Sequence, residues 1–281
     1  MSGSERSVAP LSTLKALRVQ SAVGRGRSRP LIVEAEDGRS YVAKINHSDK
    51  TARRLIAEVI AWHIANLLGL PQPGMALLEI ARDIDSPELT PEKRAELDAA
   101  RGPAFGSLQL PDAVSLRRKR DQVLDPYLAA AIIWFDSLVL NHDRKERNPN
   151  ILVMGEQIWM IDNDSVLALH HRWADSQRQG AYAMCPDSGL TWWEPRDHLL
   201  LPAAGSIESA GDELATKLSP DLIQNIAGQP PETWVLDGFP SGGRIDPRQM
   251  YVELLVHRLS IRKDFERHAD YLRMHGFCVE R

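Results

Sequence analysis

Residues 126–140 are apolar almost all the way round a helical wheel, with Asp136 as the interruption. A helix that is hydrophobic on every side belongs inside a core, and a run this short does not cross a bilayer. The chain must therefore surround this helix with other structure and lead the next segment outward from the interior. That segment is polar: Asn141-His-Asp143-Arg-Lys-Glu-Arg-Asn148-Pro-Asn150. Ile151 to Met154 then reads as a strand, Gly155-Glu156-Gln157 as a turn, and Ile158 to Ile161 as a returning strand that delivers Asp162.

This order brings hard oxygen donors together across one small hairpin. Phosphoryl transfer asks little covalent chemistry of a protein. It needs a carboxylate facing the attacking hydroxyl and oxygen ligands that hold Mg²⁺ against nucleotide phosphates. Asp143 suits the first role, accepting the acceptor's proton. Asn148, through its carbonyl oxygen, and Asp162 suit the second. The plain alternative is a polar turn in which Asp and Asn serve as turn formers. Such a site also needs a cation on the phosphates, oriented by an acid on a neighbouring helix. Lys44, inside the β-rich run Tyr41-Val-Ala-Lys44-Ile, and Glu58, on the next helix, are the candidates. Alone, they would read as an exposed Lys and a Glu on a solvated face; their position upstream of Asp143 favours the functional reading.

Around this centre the front third is β-rich. Leu31 to Val33 and Ser40 to Ile45 read as strands about an Asp37-Gly38 turn, after a polar start and a short flexible stretch in which Gly24 and Gly26 could bring backbone N–H groups close to phosphate. Thr51 to Leu68 has helical apolar spacing and a Gly69/Pro71 stop. Met75 to Ile80 reads as a strand, Asp83 to Arg101 as a polar, helix-prone excursion, and Ala104 to Leu110 as a strand or a linker. Residues 164–206 read as irregular, and Ile207 to Lys217, Pro220 to Ala227, Pro231 to Leu236 and Pro247 to Tyr271 as helical.

With 281 residues, 43% of them hydrophobic, the chain can bury a full core. A net charge of -4 and a pI near 6.2 supply no global field for nucleic acid or anionic lipid. Cys185 and Cys278 stand alone, without a disulfide framework or a thiolate zinc pattern, which fits a reducing cytoplasm. The opening MSGSERSVAP lacks a signal-peptide core, so no membrane is expected.

The stretches Phe135-Asp-Ser-Leu-Val-Leu-Asn141-His-Asp143-Arg-Lys-Glu-Arg-Asn148-Pro-Asn150-Ile-Leu and Trp159-Met-Ile-Asp162-Asn resemble the HipA-like kinases, in particular the shorter proteins that carry an isolated HipA-like kinase domain. More distantly they are similar to phosphatidylinositol kinases. Tyr41-Val-Ala-Lys44, Ala57-Glu58 and Ala104-Phe-Gly106-Ser add to the likeness, which runs from about Ser21 to Tyr271. The resemblance implies an α+β, bilobal, protein-kinase-like fold, with a β-rich N-lobe over residues 1–107 and a mainly helical C-lobe over residues 108–281. It implies ATP in the cleft, Mg²⁺, and transfer to a protein Ser or Thr, with Asp143 as catalytic Asp, Asn148 and Asp162 as metal ligands, and Lys44 as the nucleotide Lys. A translation-related protein is the acceptor that the family suggests. Where the family often has a small residue or His and then Gly after its Ile-Asp motif, this chain has Asn163-Asp164, which sets a second carboxylate beside the metal site.

Three rival readings compete. His142-Asp143 matches the doublet of HD-type metal phosphohydrolases, but a strand-turn-strand comes after it where helices would be expected. A pseudokinase or nucleotide-binding regulatory module would keep the fold, yet Lys44, Asp143, Asn148 and Asp162 are all present. Arg117-Arg118-Lys119-Arg120 could touch nucleic acid, but so short a charge run is more often a solvated helix end; nucleic acid is not expected as a partner.

Overall fold

The computed structural model describes residues 8–22, 30–118, 122–167, 193–239 and 246–275. Gly24, Gly26, Lys119, Arg120, His170, His171, Cys185, Trp192 and Cys278 lie outside the described residues.

The strand-rich part comprises β1 (Thr13–Ala22), β2 (Leu31–Ala35), β3 (Ser40–Lys44), β4 (Met75–Glu79) and β5 (Ala104–Leu108). They close into a barrel in the order β1-β2-β3-β5-β4, with β1 and β4 parallel at the closure and every other pair antiparallel. β1 falls where the sequence reads as a polar start. Register shifts between Ala16 and Arg18 break its alternation, so Leu14, Ala16 and Val19 serve the core while Leu17 stays exposed. Val19, Val33, Ala43, Leu78 and Ala104 help fill the barrel with a core of its own.

α1 (Asp49–Leu68) leaves the barrel after β3. Ser48 caps it in a reciprocal capping box with Thr51, and Gly69 ends it in the left-handed conformation at φ 80. α2 (Pro91–Asp98) is the helix within the predicted polar excursion. After β6 (Val114–Ser115), α3 (Pro126–Val139) begins at the Asp125 cap, with Pro126 in its first turn, and runs buried for most of its length. β7 (Ile151–Met154) and β8 (Gln157–Met160) form the expected hairpin, and the two-residue β6, too short to read from sequence, adds a third strand.

α4 (Ile207–Leu214), α5 (Pro220–Ala227), α6 (Glu232–Gly238), α7 (Pro247–Ser260) and α8 (Arg262–His275) complete the helical body. The single helix expected over 247–271 divides at Ile261. Buried Arg258, near the end of α7, donates to the Ser137 carbonyl of α3 at 2.7 Å and lies over the Phe265 ring of α8. Although α1 precedes two barrel strands in sequence, its buried residues join the core of α3 and the later helices. Trp234 of α6 reaches the Pro103 carbonyl beside β5 at 3.0 Å, and Arg53 of α1 donates to the Gly238 carbonyl at 2.6 Å. Among the described residues no helix is long and apolar enough to cross a membrane.

Candidate active site

Lys44 closes β3. Strand alternation turns Tyr41 and Ala43 into the barrel and leaves Val42 and Lys44 lining a cleft of about 420 Å³. Ile32 and Val42 supply apolar surface from the barrel, and Leu152 and Met160 supply it from the β7-β8 hairpin. Lys44, Glu58 and Asp162 bring charge to the same cleft.

Buried Glu58 of α1 pairs with Lys44 through Oε1 and accepts the Asn163 backbone N–H through Oε2 at 3.0 Å. Lys44 Nζ also lies 2.6 Å from Asp162 Oδ1 and 3.3 Å from Asp164 Oδ2. Burial works against the Lys44 charge, but Glu58, Asp162 and Asp164 more than offset it and hold the ammonium above the ordinary lysine range. Burial pushes Glu58 up, to about 7, opposed by Lys44 and assisted by the two aspartates. Because both Glu58 oxygens accept hydrogen bonds, the geometry supports the ionised form.

The donors suit a hard divalent cation. Glu58, Asp162 and Asp164 place carboxylate oxygens within 4.8 Å of one another, and no histidine belongs to this cluster. Both Glu58 oxygens are already engaged, so Asp162 and Asp164 are the carboxylates with capacity left for a metal. Asp164, which the sequence left open between ligand and solvated residue, is drawn in by Lys44, its side chain only 15% exposed.

The loop after α3 rests on buried polar contacts that sequence reasoning missed. Asp136 accepts from Arg144 Nε at 2.6 Å and Nη2 at 3.2 Å, from Asn141 Nδ2 at 2.8 Å, and pairs with His198 Nε2 at 2.9 Å. Burial raises the Asp136 carboxyl, but Arg144 and His198 outweigh it and hold the group below the usual carboxylate range. Arg144 also donates to the Asn150 carbonyl at 2.6 Å and to Asn163 Oδ1 at 3.1 Å, tying the loop to both ends of the hairpin. The available signal was a lone acid in an apolar helix, since a buried charge requires a partner.

Asp143 is partly buried; Asn141 Oδ1 accepts its backbone N–H at 3.0 Å, and its Oδ2 lies 3.4 Å from Asn150 Nδ2. The structure thus joins Lys44, Glu58 and Asp162 directly, and reaches Asp143 through Asn150, which also lies 3.5 Å from the Asp162 carbonyl oxygen. It does not bring Asn148 to them. Asn148 is exposed at the end of a tight turn, exchanging backbone hydrogen bonds with Lys145 at 3.0 and 3.1 Å. The non-glycine residues with positive φ among those described are Leu140, Asn150, Asp162 and Leu167, which flank or form this site. Held strain of that kind concentrates where geometry serves function.

No curated protein matches the sequence. The chain is similar to the crystal structure of the Helicobacter pylori proinflammatory kinase CtkA, with a TM-score of 0.54 and 14% sequence identity over 95% of this chain and 100% of that one. That likeness shows a kinase-like fold, strand-rich in its N-terminal part and helical in its C-terminal part. The family described as HipA-like kinase matches residues 17–185, more than half of the sequence. The chain belongs to the HipA-like kinase family.

Proposed function

We propose that this protein is an ATP- and Mg²⁺-dependent phosphotransferase that delivers the γ-phosphoryl group to a protein Ser or Thr hydroxyl. The observation that carries this reading is the convergence on Lys44 of Glu58, Asp162 and Asp164 beside an apolar cleft, with Asp143 on the adjoining loop. Bound Mg²⁺ and ATP supply the transferable group and neutralise charge on it. Lys44 binds phosphate oxygens and Glu58 orients Lys44, while Asp162 and Asp164 would hold the metal. Asp143 takes the proton of the acceptor hydroxyl as its oxygen bonds to phosphorus, the bond from the γ-phosphorus to the bridging oxygen breaks, and ADP leaves with that electron pair.

The test is incubation with γ-labelled ATP and Mg²⁺, alone and with a cell lysate, beside Asp143→Ala. Loss of the base should lower labelling by about 10²-fold or more with no change in the melting curve. Undiminished labelling in the variant would remove Asp143 from the mechanism. ATP binding without transfer to any acceptor would favour a nucleotide-binding module instead.

A further inference from the structure

A cavity of about 270 Å³ lies at the junction of the two cores and shares only Pro30 and Lys44 with the cleft. Leu31, Ala43 and Ile45 wall it from the barrel core, and Leu55 of α1 walls it from the body core. Its charges are unevenly balanced. Lys44 is taken up by Glu58, Asp162 and Asp164, and Lys93 of α2 pairs with Glu96 at 2.5 Å. Lys50 and Arg54 of α1 line the same cavity, and neither side chain has an acidic partner or a hydrogen bond among the described residues.

Taken alone, these positions are unfavourable for cations. Lys50 and Arg54 stand four residues apart on one helix, a spacing that sets like charges side by side. Both lie in the first two turns of α1, where the backbone dipole disfavours positive charge. The neighbouring Arg53 is paired with Asp49 at 3.0 Å, so the imbalance falls on the two residues that face the cavity. Lys93 is only 7% exposed, and Glu96 takes one of its three ammonium donors.

We infer that this cavity binds a phosphate-type oxyanion, held by Lys50 and Arg54 of α1 and by Lys93 of α2. The two unbalanced cations match the charge of about −2 on one phosphate group. Arg54 offers a planar fork of donors that fits such an anion, and the two ammonium groups complete the set. Because α1 packs in the body core while Leu97 of α2 packs in the barrel core, the bound anion joins the two across their junction. This binding goes beyond the phosphotransferase reading and does not depend on it.

The experiment titrates inorganic phosphate into the full-length wild type, Lys50→Gln, Arg54→Gln and Arg117→Gln, the last an exposed cation outside the cavity. Binding is read from the phosphorus-31 linewidth, with and without a non-hydrolysable ATP analogue in the cleft. It should persist when the analogue is present. Lys50→Gln and Arg54→Gln should each weaken it about tenfold or more, the scale of one lost hydrogen bond to a charged group, while Arg117→Gln matches the wild type. A phosphoserine peptide and its unphosphorylated form separate the sources of the anion. Binding of inorganic phosphate alone would assign a free anion; tighter binding of the phosphorylated peptide, with none of the unphosphorylated one, would assign a phosphate carried by a protein. Displacement by the ATP analogue would move the anion to the cleft and overturn the inference. Full binding in both α1 variants, equal weakening in Arg117→Gln, or binding of neither probe would overturn it as well. No readout uses transfer, so loss of this site would leave the phosphotransferase reading standing, and absence of transfer would leave this site standing.

Discussion

The barrel and the helical body are built on different cores, and they contribute to the site unequally. The barrel closes on a modest set of side chains, among them Val19, Val33, Ala43 and Leu78. The body gathers α3, the later helices and α1 around one larger core. Glu58, Asp143, Asn150 and Asp162 all stand on α1 or on the loops and hairpin packed against that body, while the barrel contributes Lys44 and the apolar wall of Ile32 and Val42. Because α1 is built into the body, that core positions Glu58, while the barrel positions its partner Lys44.

The largest expected effect lies in the body. Asp136→Ala should strand the Arg144 charge in the interior and cost about 3–5 kcal/mol, read as a lower denaturant midpoint for the whole chain. A cost below about 1 kcal/mol, the scale of an exposed ion pair, would mean that this network does not hold the loop. The barrel tests the other side of the comparison. Val33→Ala, at a fully buried position of β2, should cost about 2 kcal/mol. Hydrogen exchange should then quicken in the barrel strands while α1 and α3 stay protected. Equal loss of protection in α1 would show that barrel and body unfold as one unit.

The smallest expected effect concerns His63 of α1, buried and with no hydrogen-bond partner for Nε2 among the described residues. Burial pushes its pKa down from 6.5 to about 4. Between those values the unfolded chain binds more protons than the folded one, so stability is full above the unfolded pKa and is lost as pH falls toward 4. Between pH 7 and pH 5 the loss should be about 1 to 2 kcal/mol. Urea melts of the wild type and His63→Leu at both pH values should show this difference in the wild type only. An unchanged difference in the variant would place the acid sensitivity elsewhere.

Strong periodicity made much of this architecture legible. α1 and α3 announced themselves through helical apolar spacing, and the β7-β8 hairpin through two short apolar strands about Gly155. β1 was hidden because register shifts scramble its alternation, and β6 because two residues carry no period. The break at Ile261 was hidden because the pattern runs on through it, while Arg258 is committed to α3 and Phe265. Within the site, residue type and order pointed to Lys44, Glu58 and Asp162, which the structure brings into contact, and to Asp143 on the adjoining loop. That Asn148 stands exposed while Asn150 lies beside Asp143 was not legible, because spacing along the chain says nothing of which side chain a tight turn throws outward.

By itself, the sequence determined the chemical inventory: an interior helix that opens into a polar loop, a hairpin that ends on a carboxylate, and a lysine and a glutamate upstream of both. These come from local propensity and hydrophobic period, which act over a few residues. Only the tertiary structure decided that α1 belongs to the helical body, that Asp164 turns toward Lys44, and that Asp136, Arg144 and His198 form one buried network. The physical reason is that buried charges and amides are placed by partners distant in sequence, as Lys44 and Asp162 are, and desolvation makes those partnerships obligatory only once the chain has closed around them.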